Sequence, residues 1–124
     1  MRLPVHWENA GLPDYDGIVW FRRTVEVSDK MALGKATLSL GAIDDMDVTW
    51  VNGKRVGGYE QPGAHFTPRN YELPPGTLIP GKNTIAVRVM DHGSGGGLAQ
   101  THGKMQLTGG GKTIPLTGSW HYRE

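Results

Sequence analysis

Several loop segments of this sequence carry side chains that suit a polyhydroxylated or cationic ligand. Carboxylates accept hydrogen bonds from sugar hydroxyls, exposed aromatic rings offer a flat surface to a sugar, and carboxylate oxygens also bind hard cations. The candidate ligand-binding residues are Asp14, Tyr15, Asp16, Asp44, Asp45, Tyr59, Asp91 and His92. We predict that they form one site, provided that the fold brings their loops together.

The spacing of these residues does not indicate a resident metal ion. Asp44, Asp45 and Asp47 lack the spacing, the glycine and the glutamate of an EF-hand loop. No two of the five histidines lie three to five residues apart, as paired zinc ligands commonly do. Any single aspartate is also explained by turn formation, since its side chain bonds its own backbone. We expect no cofactor and leave open a bound Ca²⁺ at the carboxylate loops.

The sequence also predicts no catalytic centre. Asp14 and Asp16 flank Tyr15 on one loop, whereas glycoside hydrolysis needs two carboxyl groups on opposite sides of the scissile bond. None of the serines lies in a Gly-Asp-Ser or Gly-x-Ser-x-Gly sequence, so no nucleophile is marked. We therefore predict that the chain is not an enzyme by itself.

The segments between these loops have the patterns of short β-strands rather than helices. Residues 35–40 alternate with Ala36, Leu38 and Leu40 on one face, and residues 84–90 place Ile85, Val87 and Val89 inward. Asn52-Gly53 predicts a tight hairpin, and residues 28–33 predict one helical turn. The predicted strands are residues 18–27, 35–40, 47–51, 54–57, 69–73, 84–90, 104–107, 112–116 and 119–123. This series predicts an all-β fold, an antiparallel β-sandwich or jelly roll, with Trp20 and Trp50 in its core.

Size and charge set limits on the partners. A chain of 124 residues with a net charge of +1 fits one domain, residues 1–124, without a global field for nucleic acid or an anionic membrane. There is no cysteine, and no apolar run is long enough for a membrane-spanning helix. We expect no nucleic-acid or membrane partner, and the subcellular location stays open.

Strand parity sorts the loops into two ends of the sandwich. Loops 12–17, 41–46, 58–68 and 91–103 share what we call the acidic end, which holds all eight candidate residues, with Asp47 at its rim. The opposite, basic end carries hairpin-tip lysines and is predicted to hold both termini. The alternative site is a concave sheet face. Its predicted lining is Arg22, Thr24, Arg88 and Met90.

Long motifs in this chain resemble a known family. Residues 11–23 (GLPDYDGIVWFRR), 39–47 (SLGAIDDMD), 49–53 (TWVNG), 81–89 (GKNTIAVRV) and 114–120 (IPLTGSW) are similar to the β-sandwich insert of bacterial sialate O-acetylesterases. More loosely, Trp-Phe-Arg at 20–22, Val-Asn-Gly at 51–53 and Gly-Lys-Asn at 81–83 resemble the sugar-binding domain of family 2 glycoside hydrolases. Both resemblances imply a galactose-binding-like jelly roll.

The closer resemblance implies a domain excised from a larger SGNH-type esterase, secreted or periplasmic, whose SGNH domain would be the partner within the parent chain. It implies a non-catalytic carbohydrate-binding module with a carbohydrate ligand, associated with a sialate O-acetylesterase-like carbohydrate esterase. The alternative is a structural insert that shapes the esterase active site without affinity of its own.

Overall fold

The computed structural model describes residues 2–3, 5–6, 17–43, 46–60, 68–91, 97–98 and 105–123. Its elements, in chain order, are β1 (Arg2–Leu3), β2 (Val5–His6), β3 (Gly17–Val27), α1 (Asp29–Leu33), β4 (Ala36–Ala42), β5 (Met46–Val51), β6 (Lys54–Tyr59), β7 (Pro68–Leu73), β8 (Gly81–Asp91), β9 (Gly97–Leu98), β10 (Met105–Gly109), β11 (Lys112–Pro115), β12 (Gly118–Ser119) and β13 (His121–Arg123). Within this part of the chain, no helix is long and apolar enough to cross a membrane.

Two antiparallel sheets face each other. The five-stranded sheet has the order β13-β3-β8-β5-β6, and the four-stranded sheet has the order β11-β10-β4-β7. Two-residue strands pair at the margins, β1 with β12 and β2 with β9. The predicted β-sandwich of galactose-binding-like type is confirmed.

Alternation along the strands builds the core between the sheets. Ile85, Val87 and Val89 of β8 are fully buried, and Leu38 and Leu40 of β4 face them from the other sheet. Burying one such side chain contributes roughly 1.5–3 kcal/mol. The inward faces predicted for these two strands are therefore confirmed.

The predicted hairpin and helical turn form at the basic end. Asn52 and Gly53 have φ angles of 52° and 80°, the left-handed pair that a type I′ turn requires. The turn is attached to the start of β8, since the Asn52 side-chain amide donates to Oδ1 of Asn83 at 2.7 Å. Asn83 is fully buried and donates in turn to the Ile79 carbonyl at 2.7 Å. Ser28 caps α1 by accepting from the Met31 amide at 3.2 Å.

The register of the strands shows whether the loops assigned to one end of the sandwich lie together. Gly17 pairs with Asp91, Met46 with Met90, and Asp47 with Tyr59, so the strand ends that flank the four acidic-end loops do lie together.

The prediction that both termini leave at the basic end is wrong for the last strand. Arg123 of β13 lies opposite Trp20 and His121 opposite Arg22, so β13 runs toward the acidic end. The parity count missed the two-residue strand β12, which lies where the chain crosses between the sheets. This crossing is fixed by the Trp120 indole and by Arg23, which both donate to the Leu116 carbonyl at 2.8 Å.

Candidate functional site

Most of the predicted ligand-binding residues lie outside the described residues. These are Asp14, Tyr15, Asp16, Asp44, Asp45 and His92. Asp91 is the last residue of β8 and pairs with Gly17, while Tyr59 ends β6 opposite Asp47. The backbone thus brings Asp91 and Tyr59 to the same end of the sandwich, and the eight-residue site remains a prediction.

Tyr59 belongs to a polar cluster that penetrates the core. Its ring lies 4.6 Å from the guanidinium carbon of Arg69, a side chain with no exposed surface. Arg69 donates from Nε to Oδ1 of Asp47 at 2.8 Å. Oδ2 of the same carboxylate accepts from the Tyr71 hydroxyl at 2.6 Å and from the Thr49 hydroxyl at 2.9 Å. We call these five residues the buried ion-pair cluster.

The buried ion-pair cluster joins the two sheets, because Asp47 is in β5 while Arg69 and Tyr71 are in β7. Asp47 was expected at the rim of the acidic end, but its side chain is fully buried. Its position reflects its partners, since a buried carboxylate needs a countercharge and hydrogen-bond donors.

In its hydrogen bond with Asp47, the Tyr71 hydroxyl is the donor, because the carboxylate oxygen can only accept. Burial, followed by the charge and the hydrogen bond of Asp47, raises the pKa of the Tyr71 hydroxyl far above its ordinary value. The phenol therefore stays protonated over the usual pH range. Tyr59 keeps 40% of its surface exposed, but Arg69 occupies one face of its ring, which leaves the opposite face for any ligand.

A second aromatic and cationic group lies on the outer face of the five-stranded sheet. Trp20 of β3 and Trp50 of β5 stack with ring centroids 5.3 Å apart and planes inclined by 28°. The Arg88 guanidinium carbon lies 5.8 Å from the Trp20 ring and 5.7 Å from the Trp50 ring. Ala86 pairs with Trp50 on the intervening strand, and its small side chain leaves room for the rings to meet above β8.

The prediction that Trp20 and Trp50 belong to the core is wrong. Trp20 is 39% exposed, whereas its neighbours Val19 and Phe21 are fully buried. The alternation along β3 could have shown that Trp20 lies on the outer face. Successive side chains of a strand point to opposite faces, and Val19 and Phe21 point inward, so Trp20 points outward. Aromatic bulk was a poorer guide than strand parity at this position.

An open groove of about 640 Å³ adjoins the tryptophan pair. Its lining residues are Trp20, Phe21, Arg22, Ala86, His121, Tyr122 and Arg123. His121 and Arg123 lie opposite Arg22 and Trp20, so the edge strand β13 adds an imidazole and a guanidinium to the same face. We call Trp20, Arg22, Trp50, Arg88 and Arg123 the Trp–Arg face.

The Trp–Arg face corresponds to the alternative site of the sequence analysis, since two of that site's four predicted lining residues, Arg22 and Arg88, belong to it. The other two, Thr24 and Met90, occupy the same outward-facing alternation of β3 and β8. Within the described residues, no group of three or more histidine, aspartate and glutamate side chains could hold a metal ion. What this face can offer is stacking area and cationic hydrogen-bond donors.

Comparison with known proteins places this geometry in a family context. Residues 1–110 match the family model described as "Glycosyl hydrolases family 2, sugar binding domain". No curated protein sequence is similar enough to count as a relative.

Solved structures with the same fold include three glycoside hydrolases. A Bacteroides uniformis β-glucuronidase superposes with a TM-score of 0.68 at 22% identity, over 93% of this chain and 14% of that protein. A GH2 β-galacturonidase from Eisenbergiella tayi, bound to galacturonate, gives 0.64 at 22% identity, over 85% and 19%. Streptomyces avermitilis α-L-rhamnosidase, complexed with L-rhamnose, gives 0.58 at 19% identity, over 87% and 10%. The chain thus corresponds to a small part of each enzyme.

Proposed function

Because the chain belongs to the family of sugar-binding domains of glycosyl hydrolases family 2, we propose that it is the non-catalytic carbohydrate-binding domain of a larger glycoside hydrolase. The observation that carries the proposal is the stacked pair of Trp20 and Trp50 on an outer sheet face, beside an open groove.

The geometry of this face suits a sugar. Aromatic rings bind the apolar face of a pyranose, and the polar groups beside them fix its orientation. A groove of about 640 Å³ lies within the usual range of small-molecule sites, roughly 300–1,000 Å³. The Trp–Arg face combines both elements on strands, which hold side chains more rigidly than loops do.

The proposed parent is a family 2 glycoside hydrolase rather than a sialate O-acetylesterase. The family model and the three structures named above belong to glycoside hydrolases, and an esterase parent has no support from them. Among the motifs that suggested the esterase, 49–53 and 81–89 contain Asn52 and Asn83, which build the turn network of the sandwich. A shared turn network is a feature of the fold and does not specify the attached catalytic domain.

A second candidate function is structural. The Trp–Arg face is an exposed aromatic surface, and such a surface also suits contact with another domain of the parent. In that case the isolated chain has no affinity for glycans.

The test is a calorimetric titration of the chain with a panel of oligosaccharides. Trp20→Leu keeps an apolar side chain but removes the flat ring, so we expect at least a tenfold loss of affinity. Tyr59→Leu is the matched control at the acidic end and should bind as the wild type does. No binding to any glycan by the folded wild-type chain contradicts the proposal and favours the structural function.

If the ligand binds at the predicted loop site of the acidic end, the opposite set of variants should lose affinity. Asp45→Ala combined with Asp91→Ala removes two of its carboxylates, and each charged hydrogen bond to a sugar contributes roughly 1.5–3 kcal/mol. Loss of binding in this double variant, with Trp20→Leu unaffected, moves the site to the acidic end.

A further inference from the structure

The Trp–Arg face carries cations that no carboxylate neutralises within the described residues. Arg22, Arg88 and Arg123 project from three adjacent strands, and His121 lines the groove beside them. Over the described ranges, no ion pair involves any of these arginines. The ion pairs found there are Arg55–Glu60 and Arg69–Asp47. The local charge of this face is therefore positive on a chain whose net charge is only +1.

The placement of the cations relative to the rings suits a ligand with an anionic group. Arg123 of β13 lies opposite Trp20 of β3, and Arg22 lies two residues after Trp20 on β3. The two arginines therefore flank the Trp20 ring within the groove. Guanidinium groups donate two parallel hydrogen bonds to a carboxylate, whereas a neutral sugar offers no such planar acceptor. A sugar stacked on Trp20 would present an equatorial substituent to these guanidinium groups.

We infer that the Trp–Arg face selects glycans that carry sugar carboxylates, an inference that rests on the proposed carbohydrate-binding function. The ring of an acidic sugar stacks on Trp20, and its carboxylate binds Arg22 and Arg123. Arg88 lies within 6 Å of both tryptophan rings and adds a third positive charge to the face. Uronic acids and sialic acids present the same carboxylate chemistry and are the two sources to distinguish.

Single-stranded nucleic acid also combines negative charge with rings that stack. It is disfavoured here because a net charge of +1 gives no extended field to follow a phosphate backbone. Among the described residues, seven line the groove, which suits one or two sugar units rather than a long polymer track.

The test compares acidic and neutral ligands with the same backbone. The chain is titrated with trigalacturonate, with sialyllactose and with the fully methyl-esterified form of each. We expect the free acid of one pair to bind about tenfold or more tightly than its neutral counterpart, and its affinity to fall as salt rises from about 50 to about 500 mM. The pair that shows the difference identifies the source of the carboxylate.

Variants locate the selectivity. Arg22→Gln and Arg123→Gln should each weaken binding of the acid about tenfold and weaken binding of the neutral form much less, because the neutral form loses only an uncharged acceptor's hydrogen bond. Lys112→Gln removes an exposed positive charge from β11 of the other sheet and should change neither affinity.

The outcomes separate this inference from the proposed function. Neutral and acidic forms that bind equally well, without an effect of Arg22→Gln or Arg123→Gln, overturn the selectivity and keep the carbohydrate-binding function. Failure of all four ligands overturns the selectivity for carboxylates, and only failure of the whole oligosaccharide panel as well overturns the proposed function. A single-stranded oligonucleotide that binds more tightly than the acids, with the same dependence on Arg22 and Arg123, replaces the glycan as ligand.

Discussion

Two arginines of this domain each lie against aromatic rings, in opposite surroundings. Arg69 is completely buried between the sheets, with its guanidinium 4.6 Å from the Tyr59 ring and its Nε 2.8 Å from Asp47. Arg88 lies on the outer face beside the stacked rings of Trp20 and Trp50, and no ion pair involves it within the described residues.

The difference follows from the free energy of removing a charge from water. Several kcal/mol per ion oppose burial, so Arg69 is stable only with a carboxylate beside it. Arg88 is half-buried and keeps contact with solvent, so it needs no partner within the fold. The first arginine therefore has its charge committed to the structure, while the charge of the second is available to a ligand.

The largest expected effect is that of removing the buried cation. Arg69→Met leaves Asp47 buried without its countercharge and should lower the free energy of unfolding by about 3–5 kcal/mol. Urea denaturation followed by tryptophan fluorescence measures this loss. A change below about 1 kcal/mol would mean that Asp47 reaches solvent or another donor, and the contrast between the two arginines would disappear.

The next effect concerns the donor that shares the Asp47 carboxylate. Tyr71→Phe removes the 2.6 Å hydrogen bond and should lower the free energy of unfolding by about 1–3 kcal/mol at pH 7. The Thr49 hydroxyl remains on the same oxygen, which keeps the loss below that of Arg69→Met.

The pH dependence of the same variant adds a second measurement. Because the pKa of Tyr71 is raised in the folded chain, the unfolded chain loses its proton first, near the ordinary tyrosine value of about 10. The folded state then binds more protons, so stability falls as pH rises above that value. Unfolding between about pH 8 and pH 11.5 should show a steeper loss in the wild type than in Tyr71→Phe, and parallel curves would contradict the raised pKa.

The features that could be predicted from the sequence are those set by neighbouring residues. Alternation in β8 marked Ile85, Val87 and Val89 as inward, and Asn52-Gly53 marked the hairpin, because both depend on local geometry. The direction of β13 could not be read, since the two residues of β12 are too few to show a pattern.

Neither the buried ion-pair cluster nor the Trp–Arg face could be predicted from local sequence patterns, for different reasons. Asp47 and Arg69 are 22 residues apart, and only the packing of β5 on β7 makes them partners. Trp20 could have been placed outside from the parity of β3, but the pairing with Trp50 across β8 depends on strand order. The eight acidic-end residues were chosen by type and parity, and they remain a prediction.

The Asn52-Gly53 turn contains no charged residue, so a variant there gives a loss of stability against which the charge-removing variants can be compared. Gly53 has a φ angle of +80°, and no atom lies within 4 Å of the position that a Cβ would take, so Gly53→Val strains only the backbone. We expect a loss of about 1–2 kcal/mol, the usual penalty for a left-handed β-branched residue. Thermal unfolding measures it, with Gly34→Val, at a position of ordinary φ with equally open space, as the matched control. Equal losses in the two variants would mean that the strain at Gly53 is not the cause.

The smallest effect is expected for the half-buried arginine of the outer face. Arg88→Met keeps an extended side chain over the two tryptophans and removes only the charge, and an exposed cation–π contact contributes about 0.5–1 kcal/mol. No carboxylate among the described residues loses an ion-pair partner, so no uncompensated buried charge adds to the loss. The same urea titration used for Arg69→Met measures the change. If Arg88→Met destabilises the chain as strongly as Arg69→Met, both arginines are structural, and the Trp–Arg face is held by its cation rather than offering it to a ligand.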